Sequence, residues 1–203
     1  MTSDKTLKQA ISNITIWRKG EQRAPHKPLL LLYVLSHYRQ GHGRLFNYGS
    51  EIYEPLLDLL ERYGPQRRDQ SPDMPFWRLK GDGFWELHNA ELCSTSGSSQ
   101  PPRRELIEHN VAGGFDADNF ALVAKNHRLI DTLAQQLLEA HFPASIQEEI
   151  ADEIGFDIRT SLRQRDPRFH QMVLRAYNYQ CAICGFNMRH DNAPIALEAA
   201  HIR

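Results

Sequence analysis

The chain has 203 residues and a formal net charge of −1, with 24 Lys and Arg against 25 Asp and Glu. Hydrophobic residues make up 41% and charged residues 24%, proportions of a folded globular protein that exclude a disordered chain. No run approaches the ~20 apolar residues that span a bilayer. The N-terminal MTSDKTLKQA has no apolar signal core, and three cysteines are too few for a disulfide framework, so a cytoplasmic location without membrane contact is expected.

In chain order, Leu7, Ile11, Ile14 and Trp17 recur at helical spacing, and a basic turn over Arg18 to Arg23 follows. In APHKPLLLLYVLSHY, Pro25 and Pro28 suit a helix start and the leucine run suits a buried helix, ended by Gly41 and Gly43. Glu51 to Tyr63 predicts an amphipathic helix stopped by Gly64-Pro65, and Arg67 to Pro75 a polar loop. Phe76-Trp77-Arg78-Leu79 and Phe84-Trp85-Glu86-Leu87, flanking Gly81-Asp82-Gly83, predict a β-hairpin. CSTSGSSQPP reads as a loop, Phe120 to Phe142 and Ile146 to Ile154 as helices. From Asp131 to Gly155 there are six acidic residues and no Lys or Arg; beyond it an arginine-rich connector begins. That contrast puts a boundary between Gly155 and Pro167, dividing the chain into residues 1–158 and 159–203. Phe169 to Tyr177 predicts a helix and Ile195 to Ala200 a strand. The expected class is α+β, mainly helical with short hairpins. Near-zero net charge argues mildly against nucleic-acid binding, but local basic clusters such as Arg67-Arg68 and Arg103-Arg104 suit phosphate contact. For any one of these arginines a solvated surface role is the simpler reading.

The C-terminal segment carries the densest chemistry. Cys181-x-x-Cys184-Gly185 is the shape of a zinc knuckle, in which two thiolates grip one tetrahedral ion and the glycine lets the backbone turn. It supplies half of a four-ligand site. A redox dithiol is the rival reading, but it needs a βαβ context that is missing. Farther on stands LEAAHI with His201. The pairing of C-x-x-C with LEAAHI resembles the HNH, or ββα-metal, nuclease family over about the last 35 residues. The resemblance implies that His201 is the general base on the attacking water, a task suited to an imidazole titrating near neutral pH. It also implies a structural zinc on Cys181 and Cys184, and a divalent catalytic ion such as Mg or Mn that stabilises the leaving oxygen. The chain ends at Arg203, two residues past His201, so these 203 residues are expected to hold an incomplete HNH domain and to leave DNA uncut.

The segments Arg23-Ala24-Pro25-His26-Lys27-Pro28-Leu29 and Met74-Pro75-Phe76-Trp77-Arg78-Leu79, the latter followed by Gly-Asp-Gly and Phe84-Trp85, show a second likeness. They resemble the sulfur-binding domains of phosphorothioate-dependent restriction nucleases, in which such a domain precedes an HNH domain. The implied partner is double-stranded DNA carrying a phosphorothioate, and two-strand cleavage would make a homodimer natural. The resemblance assigns Pro75 to an apolar wall for sulfur, with Met74 and the stem of Arg78 beside it, and Arg23 to the same DNA-binding set. His26 and Lys27 would hold the remaining charge from a helix start, where free N–H groups favour anions. Relatives are expected to carry an aromatic where Met74 stands and an arginine where Lys27 stands.

Three other readings remain open on sequence alone. An HNH nuclease could read a different mark, such as a methylated base held in an aromatic cage of Tyr33, Trp77 and Trp85. The chain could be a DNA-binding module without catalysis. A zinc-stabilised protein-interaction module would show no salt-dependent DNA affinity.

Overall fold

The computed structural model describes residues 3–16, 18–19, 22–64, 70–94, 100–156, 175–177, 180, 189–190 and 193–194. Two compact units divide the chain, Met1–Phe156 and Asp157–Arg203. In the second, β6 (Arg189–His190) pairs antiparallel with β7 (Ala193–Pro194). The expected strand Ile195 to Ala200 and most of the expected helix Phe169 to Tyr177 lie outside the described residues.

The first unit is mainly helical around one small antiparallel sheet, an α+β arrangement as expected. Helix α1 (Asp4–Ser12) starts where the Ser3 hydroxyl accepts the Thr6 N–H, and it buries Leu7 and Ile11. A ribbon of β1 (Arg18–Lys19) and β2 (Gln22–Arg23) leads to α2 (His26–Arg39). The leucine run makes α2 apolar all round, so it is the central helix: Leu29 to Leu32, Val34 and Leu35 are all fully buried. It packs against α3 (Tyr53–Tyr63), α4 (Asp73–Arg78), α6 (Ala117–Lys125) and α7 (His127–His141). The expected single helix over 120–142 is two helices, because Asn126 turns its side chain onto the Leu129 N–H and starts α7 afresh. Helix α8 (Ala144–Glu153) closes the unit.

The hairpin expected at Gly81-Asp82-Gly83 does not form. Phe76 to Arg78 lies in α4 and continues through a 3₁₀ turn, Leu79–Asp82, that ends at Gly83 in the left-handed region with φ 83°. Phe76 and Leu79, three apart, are fully buried while Arg78 is exposed, which is a helical and not a strand pattern. Only the second half is extended: β4 (Trp85–His88) pairs with β5 (Ala112–Phe115), and β3 (Phe46–Asn47) flanks β5 on its other edge. Gly113 lets the sheet meet α4 closely, since a Cβ there would come within 2.9 Å of the Phe76 ring. Helix α5 (Arg103–Glu108) precedes β5.

The turn entering α3, Tyr48–Ile52, is π-helical and is held by Glu51. Its carboxylate accepts the Asn47 N–H at 2.6 Å and meets His42 Nε2 at 2.8 Å, while the His42 ring stacks flat on Phe46. Burial of the carboxyl opposes ionisation, but the Asn47 N–H and His42 outweigh it and hold Glu51 below its ordinary value. A carboxyl that ionises more readily in the fold stabilises it above the unfolded-state pKa and loses that effect as pH falls through the folded one. Glu51→Gln is therefore expected to lower the melting temperature at neutral pH, with the deficit closing as the solution is acidified through the carboxylate range. Thermal melts across pH check this; a deficit independent of pH would show that the charge is irrelevant.

Candidate functional site

Three separated segments of the first unit enclose one cavity of about 370 Å³, near the small end of the ~300–1,000 Å³ typical of ligand pockets. Thr15 and Ile16 come from the segment after α1, Ala24, His26 and Lys27 from the start of α2, and Met74, Pro75 and Arg78 from α4. The packing of α4 on α2 brings the second and third groups face to face. Pro75 sits in the first turn of α4, where a missing N–H leaves no helical bond unmade, and it is buried while Arg78 is exposed. Pro25 and Pro28 bracket the first turn of α2, which contains no acidic residue. His26 is half-buried there.

Lys27 is 8% exposed and does not present a free ammonium to the cavity. Its Nζ lies 2.5 Å from the Asp82 carboxylate, whose other oxygen accepts the Thr15 N–H at 2.8 Å. Asp82 thus ties two walls of the cavity together from behind. Its place in the expected hairpin turn concealed this, and the only sequence signal was an acid between two glycines in an otherwise aromatic segment.

Five residues expected from sequence to bind DNA therefore line one cavity: His26, Lys27, Met74, Pro75 and Arg78. Met74 and Pro75 were expected in a loop and stand instead on a helix. Arg23 lies on β2, next to Ala24 of the wall. Arg18, Lys19 and Arg23 lie on the ribbon strands between Ile16 and Ala24, two residues of the cavity wall. Cys181, Cys184 and His201 lie outside the described residues. Among the described residues, no three His, Cys, Asp or Glu side chains are grouped to hold a metal ion, and no helix is long and apolar enough to cross a membrane.

The aromatic residues considered for a base cage do not line this cavity. Tyr33 donates to the Glu51 carbonyl at 2.8 Å and packs on His37, and Trp85 is buried against Phe76 and Phe115. Trp77 carries Lys80 over its ring at 5.8 Å.

The family described as ScoMcrA-like, DNA sulfur-binding domain matches residues 4–159. The sulfur-binding domain of ScoMcrA, solved in complex with phosphorothioated DNA, is 21% identical with a TM-score of 0.66, over 77% of this chain and 98% of that one. The sulfur-binding domain of SprMcrA, also solved with phosphorothioated DNA, is 18% identical with a TM-score of 0.63, over 76% of this chain and 94% of that one. The type IV phosphorothioation-dependent restriction endonuclease ScoMcrA is 21% identical with a TM-score of 0.60, and the match covers 75% of this chain but 29% of that one. A search of curated protein sequences gives no significant match.

Proposed function

The chain belongs to the ScoMcrA-like DNA sulfur-binding domain family, and from that premise we propose that its first unit binds phosphorothioated double-stranded DNA, with the sulfur seated against Pro75. The observation that carries this reading is the cavity itself, where Met74, Pro75 and Ile16 offer apolar surface beside His26 and Arg78.

Sulfur is larger and more polarizable than oxygen and a poorer hydrogen-bond acceptor. An apolar wall accepts it, whereas an oxygen in the same place loses its water without gaining a donor. Stranding a buried acceptor costs ~1–3 kcal/mol, which is about 5- to 150-fold in affinity. Pro75 suits the wall because it has CH groups and no N–H. The Met74 thioether is a soft neighbour for sulfur. His26 and the N–H groups at the start of α2 would take the remaining phosphate charge. Arg78, and Arg23 as the resemblance implies, would meet adjacent phosphates, positioning the duplex without reading its bases.

The methylated-base reading is less well supported, because Tyr33, Trp77 and Trp85 are each engaged elsewhere. For a longer protein we propose HNH-type cleavage, with His201 as general base, zinc on Cys181 and Cys184, and a divalent ion such as Mg or Mn. That part rests on residue spacing and family resemblance. It implies a cytoplasmic restriction nuclease, and a homodimer if both strands are cut.

The test compares two matched duplexes, one with a single phosphorothioate, by fluorescence anisotropy in ~0.15 M salt, where counterion release does not mask the difference. Preference for the sulfur duplex by about 5- to 150-fold is the expected result. Equal binding to both would refute the sulfur reading and leave a general DNA module.

A further inference from the structure

We propose that Asp82 is a specificity-determining residue of this site: it neutralises the Lys27 ammonium and so denies an ordinary phosphate oxygen the charge-assisted bond that would reward it. The inference rests on the sulfur reading and deepens it.

Asp82 stands 55 residues from Lys27 and 67 from Thr15, yet its two carboxylate oxygens serve one wall each. The side chains of Lys27 and Asp82 are 10% and 3% exposed, so little water screens the pair. Lys27 also lines the cavity, within reach of whatever enters it. Without Asp82, Lys27 would be a buried cation with three donors beside an incoming anion. Oxygen would gain a charge-assisted hydrogen bond from it, and sulfur, the weaker acceptor, much less. The ordinary phosphate would thus recover what the apolar wall withholds. With Asp82 in place the pair adds no net charge and one Lys27 donor is taken, so an oxygen reaching a remaining N–H gains little charge assistance and the choice falls to the wall of Met74 and Pro75. Asp82 acts through Lys27 and touches neither sulfur nor phosphate, which makes it a positioning residue. Its signature is therefore a change in preference and in salt dependence, beyond any change in stability.

The experiment uses the 203-residue chain and the two duplexes above, with affinities measured across a salt series. In Asp82→Asn the amide oxygen still accepts the Thr15 N–H, but Lys27 loses its counter-charge. Affinity for the unmodified duplex is expected to rise about tenfold, the size of one hydrogen bond to a charged group. The sulfur preference should shrink, and the slope of log K against log salt should steepen by about 0.9, the contribution of one neutralised phosphate. The double variant Lys27→Met/Asp82→Asn removes both charges and leaves no buried ion unpaired. Its salt slope should equal that of the wild type. If circular dichroism shows Asp82→Asn unfolded, the double variant alone decides. An unchanged preference or weaker binding to both duplexes in the single variant overturns the inference, as does a slope that falls by about one in the double variant. A wild-type chain with no sulfur preference overturns the sulfur reading and this inference together; a wild-type preference that Asp82→Asn retains overturns this inference alone.

Discussion

Pro75→Ser is expected to abolish the preference for phosphorothioated DNA, taking it from about 5- to 150-fold to within about twofold of unity. Serine restores a backbone N–H and adds a hydroxyl at the wall, so an ordinary phosphate oxygen finds a donor where proline offered only CH groups. The two duplexes should therefore move in opposite directions, the sulfur duplex weakening as apolar contact is lost and the unmodified one strengthening. Pro75→Ala is the natural comparison, since it removes contact area but adds no side-chain donor and should keep part of the preference. Pro75 lies in the first turn of α4, where serine is well tolerated, so thermal stability should change little. Anisotropy with both duplexes, alongside a melting curve for each variant, separates a change in recognition from a change in folding. If Pro75→Ser kept the wild-type ratio, the wall would have to be sought among Met74, Ile16 and Ala24.

The largest effect on stability is expected at Gly114. A Cβ placed there would lie 2.0 Å from the Arg44 carbonyl oxygen and 2.8 Å from the Tyr38 hydroxyl. Neither can move freely. The Tyr38 hydroxyl donates to the Arg44 carbonyl at 2.7 Å and accepts the Phe115 N–H at 3.0 Å, and burial pushes its pKa well above the ordinary range, so it remains a donor at any working pH. Gly114→Ala must displace β5 and break this relay. A loss above ~3 kcal/mol is expected, beyond the usual cost of an overpacked core. At ~2–4 °C per kcal/mol for a domain of this size, calorimetry should show the melting temperature falling by about 10 °C. Gly43→Ala is the control: its Cβ would meet nothing within 4 Å, so stability should stay within ~0.5 kcal/mol of the wild type.

Residues whose role depends on near neighbours were legible in the sequence. The Pro25 to Pro28 start and leucine run of α2 could be read directly, because helix starts and continuous apolar runs are local signals. Met74, Pro75 and Arg78 were recognisable as a motif, but their secondary structure was not. In a stretch as short as Phe76 to Leu79, apolar spacings of two and three are both available, and only the packing of Phe76 and Leu79 into the core selects the helix. The split at Asn126 was missed because the apolar pattern runs through it and the side-chain cap leaves no trace in that pattern. The cysteine pair and His201 are readable from spacing alone, and they lie outside the described residues.

Composition, local starts and stops, and the chemical types available for binding an anion beside an apolar wall were determined by the sequence itself, since each depends on residues within a few positions. Which of those groups share one cavity, and which charge is already spoken for, was decided only by the tertiary structure. Lys27 reads along the chain as a free cation at a helix start. It is a neutralised one because the fold brings Asp82 to it across 55 residues and buries both, and charge pairing at that range follows spatial proximity, which no local pattern encodes.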